Sequence, residues 1–139
     1  MQRVEIAADF GLPVERVYAF LSEHENLGPF FGARITRLKD GHDHRNGAGS
    51  ERELRLGPLP PFVETVTEAI PNELIVYRIT KGSPLTNHVG MMRFASTSAG
   101  SHLDYTIEFG SKVPGLGPIV ARGLRQRICS ALKTVDSVA

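Results

Sequence analysis

The last quarter of the chain constrains the fold more than any other part. A run from Leu103 to Phe109 alternates apolar and polar side chains, as a half-buried strand does, and leads into a Pro/Gly break between Pro114 and Pro118. Leu116, Val120, Leu124, Ile128, Leu132 and Val135 then recur every three or four residues, while Arg122, Arg125, Gln126 and Lys133 fall elsewhere. That spacing predicts one amphipathic helix from Leu116 to Val135. Such a helix reaches about 30 Å, enough to cross a small sheet. Strands closed by one long helix suggest a curved sheet gripping it, and such sheets often enclose an apolar cavity.

Upstream, Val4, Ile6 and Ala8 alternate in a first strand over residues 3–8. Pro13 sits near the first turn of a helix, where its missing N–H costs nothing, and Val14, Val17, Tyr18 and Leu21 follow at helical spacing. A second short helix is expected from Glu23 to Leu27, ended by Gly28-Pro29, with Phe30 and Phe31 in the loop beyond. From Ala33 onward, turn signals such as Gly57-Pro58, Pro71-Asn72 and Gly82-Ser83-Pro84 separate short runs. These runs read as strands near 33–39, 49–56, 62–70, 74–81, 86–96 and 101–110. Short turns favour antiparallel pairing, and no helix interrupts the strands as a parallel βαβ sheet would require. The expected class is α+β, in the order β-α-α-β6-α. Residues 1–139 are expected to form one domain.

Composition excludes several functions. Sixteen basic and fifteen acidic side chains leave a formal charge of +1, which gives no footprint for nucleic acid. The single Cys129 rules out an intrachain disulfide and fits a reducing, cytoplasmic setting. No apolar run resembles a secretory signal or reaches the roughly 20 residues of a membrane span, so no membrane insertion is expected. No P-loop, dinucleotide fingerprint or serine elbow is present, and no cofactor is called for.

Several local strings, together with this element order, resemble the START-like, helix-grip superfamily, in its polyketide cyclase/dehydrase-like (SRPBCC) branch. They are Pro13 to Leu21, Glu25-Asn26-Leu27, Gly49 to Arg52, Val63 to Thr67, Val76 to Ile79 and Val113 to Leu116. The resemblance covers nearly the whole chain. It implies a deep cavity between the concave sheet face and the long helix, usually holding a lipid, sterol-like or aromatic molecule. It does not imply one activity, because related proteins include cyclases, dehydrases, aromatases, carriers and chaperone cofactors. A homodimer is left open. One departure stands out: a Trp often occupies the place of Tyr105, and this chain has no Trp.

Strand parity points to the cavity wall. His88, Met92 and Phe94 share one face of their strand; Leu103, Tyr105, Ile107 and Phe109 share one face of the next; Ile75, Tyr77 and Ile79 share a third. Tyr77, His88, Met92, Tyr105 and Phe109 are expected to line the space from the sheet, and Leu124 and Ile128 from the helix. If the turn through Gly57 and Pro58 centres its hairpin, Arg52 faces Glu64 and Leu54 faces Phe62. An inward Arg52–Glu64 pair either orients a ligand and moves a proton, or is a structural ion pair. His88 is either a proton-transfer group or a satisfied core histidine. Phe30 and Phe31 either cover the cavity mouth or pack under the long helix.

His42-Asp43-His44 lies in a polar, Gly-flanked loop without evident further ligands, and reads as a solvated turn with no metal. Arg122, Arg125 and Arg127 spread around the long helix as a solvated face. The leading expectation is a binder of a small hydrophobic or aromatic molecule. The alternatives are a polyketide cyclase, aromatase or dehydrase with His88 or Glu64 as acid/base and Arg52 beside it, and a protein-interaction module using the convex sheet face. That convex face carries Glu51, Glu53, Arg55, Asp104 and Glu108.

Overall fold

In the computed structural model, which describes residues 1–139, the chain runs β1 (Gln2–Phe10), α1 (Val14–Ser22), a 3₁₀ turn (His24–Leu27) and α2 (Gly28–Phe31). It continues through β2 (Arg34–Lys39), β3 (Glu51–Arg55), β4 (Phe62–Ile70), β5 (Leu74–Lys81), β6 (Leu85–Thr97) and β7 (Gly100–Ser111), then α3 (Leu116–Leu132) and α4 (Val135–Val138). The seven strands form one sheet in the order β1-β7-β6-β5-β4-β3-β2, and every pairing is antiparallel. β1 and β2 hold opposite edges, so α1, the 3₁₀ turn and α2 carry the chain across one end of the sheet. Bulges between β2 and β3, β4 and β5, and β6 and β7 add local twist, and the sheet curves around α3. This is the α+β helix-grip architecture.

Local chemistry sets the elements. Pro13 caps α1 with φ −59° and ψ 150°, and Val14, Val17 and Leu21 bury one face. Strand alternation is sharpest in β7, where Ser101, Leu103, Tyr105, Ile107 and Phe109 are buried and their neighbours are not. Those inward faces, with α1, α2 and the end of α3, form one apolar core.

Two boundaries and one helix face differ from expectation. The short helix ends at Leu27 as expected, but Phe30 and Phe31 are not in a loop: Gly28-Pro29 also opens the single turn of α2, and Pro29 fits its first turn. Both phenylalanines are buried, so they are no exposed lid. α2 packs against α3. The long helix stops at Leu132, and Val135 begins α4, where the Asp136 carboxylate accepts a hydrogen bond from the Gly11 backbone N–H at 3.1 Å. Arg125 and Arg127 are not merely solvated. Arg125 donates to the Glu5 carbonyl at 2.9 Å, and Arg127 lies over Gly32, where a Cβ would meet its guanidinium.

Candidate functional site

α3 packs over β1 and β7 and leaves the concave face of β3 to β6 partly uncovered. A cavity of about 330 Å3 fills that gap, a volume within the range of small-molecule sites. The helix records the gap in its own burial. Leu116, Val120 and Leu124 lie four residues apart, line the cavity and are half-buried, whereas Ile128 and Leu132, next along the same stripe, are buried in the core. From the sheet the wall is Leu54, Phe62, Glu64, Tyr77, Ile79, Leu85, His88 and Ile107; Phe31 closes one side and Leu56, Leu59, Pro60 and Pro84 rim the mouth.

Arg52 and Glu64 stand directly opposite each other in the β3–β4 ladder. Both side chains are almost wholly buried, and Arg52 Nε and Nη2 each lie 2.8 Å from the same Glu64 oxygen, Oε1. Only the Nε–H is aligned to donate; Nη2 has no hydrogen-bond partner. The guanidinium also lies 4.9 Å from the Tyr77 ring centre and 5.7 Å from that of Phe31, which adds cation–π attraction. Glu64 reaches the cavity wall and Arg52 stays behind it. Burial raises the Glu64 carboxyl above its ordinary value, and the neighbouring Arg52 only partly opposes that.

Tyr77 crosses β6 at Gly90, its ladder partner, where any Cβ would collide with the phenol ring. This passage lets the Tyr77 hydroxyl hydrogen-bond the Tyr105 hydroxyl on β7. Burial raises both phenols well above their ordinary value, so both hold their protons near neutrality. Trp is absent where Tyr105 stands, and the hydroxyl there serves as the anchor of Tyr77.

His88 is aimed by a backbone irregularity. The β6–β7 register shifts between Thr86 and Val89, and Asn87 takes a left-handed φ of 50°, which Asn tolerates better than most residues. The Ile79 backbone N–H donates to His88 Nδ1 at 3.1 Å. Nδ1 is therefore the unprotonated nitrogen, and the Nε2–H is left to donate along the cavity wall. Burial lowers this imidazole from 6.5 to about 4, with the charges of Arg52 and Arg78 adding to the shift. A neutral ring with its acceptor nitrogen occupied suits hydrogen-bond donation rather than general-base work.

Of the residues expected at the cavity, the structure brings Phe31, Glu64, Tyr77, His88 and Leu124 to its wall. Phe30, Met92, Tyr105, Phe109 and Ile128 do not line it. They face inward as expected, but the space beside them is filled by other core side chains. Sequence reasoning missed the rim. Its signal was the turn Leu56-Gly57-Pro58-Leu59-Pro60-Pro61-Phe62, too apolar for an ordinary solvated hairpin loop.

A second buried histidine, His24, sits outside the cavity. Its Nε2 lies 3.0 Å from Ser50 Oγ, whose hydroxyl donates to the Gly47 carbonyl at 2.7 Å, and its Nδ1 has no partner. Burial first, and then the charge of Arg52, lower this imidazole to about 3. The loop carrying His42 and His44 is pinned by Arg37, which pairs with Glu23 and Glu25 and donates to the Arg45 carbonyl. His44 Nδ1 accepts from the Asn46 N–H at 3.2 Å, and the His42 ring lies over Gly49. The two imidazoles are thus engaged separately. A groove of about 670 Å3 lies between this loop and α1.

No helix is long and apolar enough to cross a membrane. No curated protein matches the sequence. Among solved structures, the chain is similar to the Aha1 dimer of Colwellia psychrerythraea at 12% identity, with 98% of this chain and 97% of that one covered and a TM-score of 0.72. It is similar to the XoxI protein of Bacillus cereus at 14% identity, over 99% and 94% of the two chains, with a TM-score of 0.72. A protein of Chromobacterium violaceum is 17% identical over 96% of each chain, with a TM-score of 0.66. At these identities the likeness shows the fold alone. The family match reaches further: residues 1–139, the whole chain, match the family described as polyketide cyclase / dehydrase and lipid transport, and the protein belongs to that family.

Proposed function

We propose that the protein, working as one domain, binds a small hydrophobic molecule carrying a hydrogen-bond acceptor in the cavity between β3–β6 and α3. The observation that carries this reading is the pairing of an apolar wall with one fixed polar donor, the His88 Nε2–H. Apolar area gives affinity, and a single oriented donor selects a carbonyl or ether oxygen over pure hydrocarbon. Glu64 adds an acceptor edge beside it, whose Oε1 is taken by Arg52. Tyr77 and Phe31 supply flat faces suited to an aromatic or polyketide-like ring. The single Cys129 supports a cytoplasmic setting.

The test is native mass spectrometry of the protein purified from its own host, then extraction and identification of whatever it retains. The same ligand is then titrated into two variants. Val120→Trp fills the cavity and should abolish binding with the fold kept. His88→Asn keeps an acceptor for the Ile79 N–H but loses the ring Nε2–H, its own amide donor lying closer to the backbone, and should weaken binding about fivefold. An empty protein that also ignores a panel of apolar oxygen-bearing molecules would sink the proposal.

A second reading has one observation in its favour. Glu64 is a buried carboxyl on the cavity wall whose proton affinity is raised, as an acid/base group in a cyclase, aromatase or dehydrase requires. That reading predicts turnover of a polyketone-like ligand that Glu64→Gln abolishes while binding persists.

A further inference from the structure

We propose that the end of the protein bearing the cavity mouth docks peripherally on an anionic phospholipid surface. Three segments meet there: the β3–β4 turn, the β5–β6 turn and the loop from β7 into α3. Leu54 pairs with Phe62 and Leu85 with Ser111, the Lys112 N–H donates to the Pro84 carbonyl, and Gly82 abuts Pro61. Three large apolar side chains stand exposed on them and on the first turn of α3: Leu59 at 58%, Val113 at 48% and Ile119 at 71%.

The charges around these side chains are mainly of one sign, although Arg55 is paired with Glu53 at 3.7 Å. Arg55, Lys81, Lys112 and Arg122 are exposed at this end, and Arg122 shares a helix face with Ile119 three residues before it. Residues 54–63, 79–92 and 109–135 contain no Asp or Glu, although the chain has fifteen. With a net charge of only +1, the asymmetry is local rather than global. An apolar rim alone would suit a protein partner or a second copy equally well. A rim on which Lys81, Lys112 and Arg122 stand exposed without a carboxylate partner repels its own copy and complements a negatively charged plane into which apolar tips can sink.

Docking in this orientation turns the cavity mouth towards the bilayer, so an apolar ligand can pass between the two without crossing water. That consequence rests on the binding reading above; the docking itself does not. It is therefore measured without ligand, and its failure would leave the cavity titrations untouched.

The experiment is co-sedimentation with phosphatidylcholine vesicles and with vesicles of phosphatidylcholine and phosphatidylglycerol, at low and high salt. Binding is expected on the anionic vesicles, at least about tenfold above the neutral ones, with most of it lost in high salt. The triple variant Lys81→Glu, Lys112→Glu, Arg122→Glu should lose more than about tenfold. The same net change at the far end (Lys39→Glu, Arg93→Glu, Lys133→Glu) should stay within about twofold. Ile119→Ser should weaken binding severalfold at unchanged charge. Equal binding to both vesicle types, no binding to either, or equal losses in the two triple variants would overturn the proposal. So would a solution dimer that Ile119→Arg dissociates, since the second copy would then be the occupant.

Discussion

Arg52 is the residue on which the polar chemistry of this core converges. Its guanidinium contacts Glu64, lies over Tyr77 and Phe31, and is the leading charge that depresses both buried histidines. A buried cation is tolerated only while such partners stay in place, because the desolvation cost is offset by few, well-aimed contacts. Removing the carboxylate in Glu64→Leu should therefore destabilise the protein by about 3–5 kcal/mol. The double variant Arg52→Met, Glu64→Leu removes the cation as well and should recover most of that loss. Urea unfolding of wild type, both single variants and the double variant reads the coupling. If Glu64→Leu and the double variant unfold together, the penalty is not that of an orphaned charge and the pair does not act as a unit. The facing of Arg52 and Glu64 was legible from the turn residues Gly57 and Pro58, which fix the hairpin register. The stacking of two rings on the guanidinium was not legible, since α2 and β5 bring Phe31 and Tyr77 from distant parts of the chain.

On the scale of the element, α3 shows what periodicity conveys and what it omits. The stripe from Leu116 to Leu132 was readable, and so was its inward direction. Which part meets a packed sheet and which part meets a void depends on where α3 crosses the sheet, and no spacing encodes that. Leu124 and Ile128 are equivalent in sequence pattern but not in surroundings: Leu124 is half-buried over the cavity, while Ile128 is 0% exposed. Truncating Ile128 to Ala should cost about 2–5 kcal/mol, because it removes packed contacts and leaves a hole. Leu124→Ala only enlarges an existing cavity and should cost about 1 kcal/mol, well below the Ile128 variant. Thermal or urea unfolding of the two variants checks the difference, and equal losses would mean that the cavity collapses around Leu124 in solution. The same limit applies within the sheet. Met92, Tyr105 and Phe109 were placed on the correct face of their strands, but at positions already filled by other core side chains.

For the whole molecule, strand number, antiparallel order and the closing helix were all legible, since each follows from local turn and periodicity signals. The acid resistance of the fold was not, because it depends on where two histidines end up. Burial holds His24 down to about 3 and His88 down to about 4, against an ordinary value of 6.5. Below about pH 6.5 the unfolded chain takes up protons at both sites and the folded chain does not. Stability contributed by the neutral rings is thus complete above 6.5 and drains as pH falls from there towards 4 and then 3. Each ring contributes a slope of up to about 1.4 kcal/mol per pH unit in that window. Glu64 acts with the opposite sign: its raised carboxyl favours the folded state at low pH, and that contribution is lost as pH rises through its folded value. Two imidazoles against one carboxyl leave stability rising with pH between about 4.5 and 6.5. Urea midpoints measured across that interval should fall steadily on acidification. His88→Asn preserves the acceptor for the Ile79 N–H but does not titrate, and should remove at least half of the slope, more where Glu64 opposes it. A flat wild-type profile would mean that both imidazoles take up protons in the folded state, so that His88 would be a cation rather than a neutral donor in the cavity.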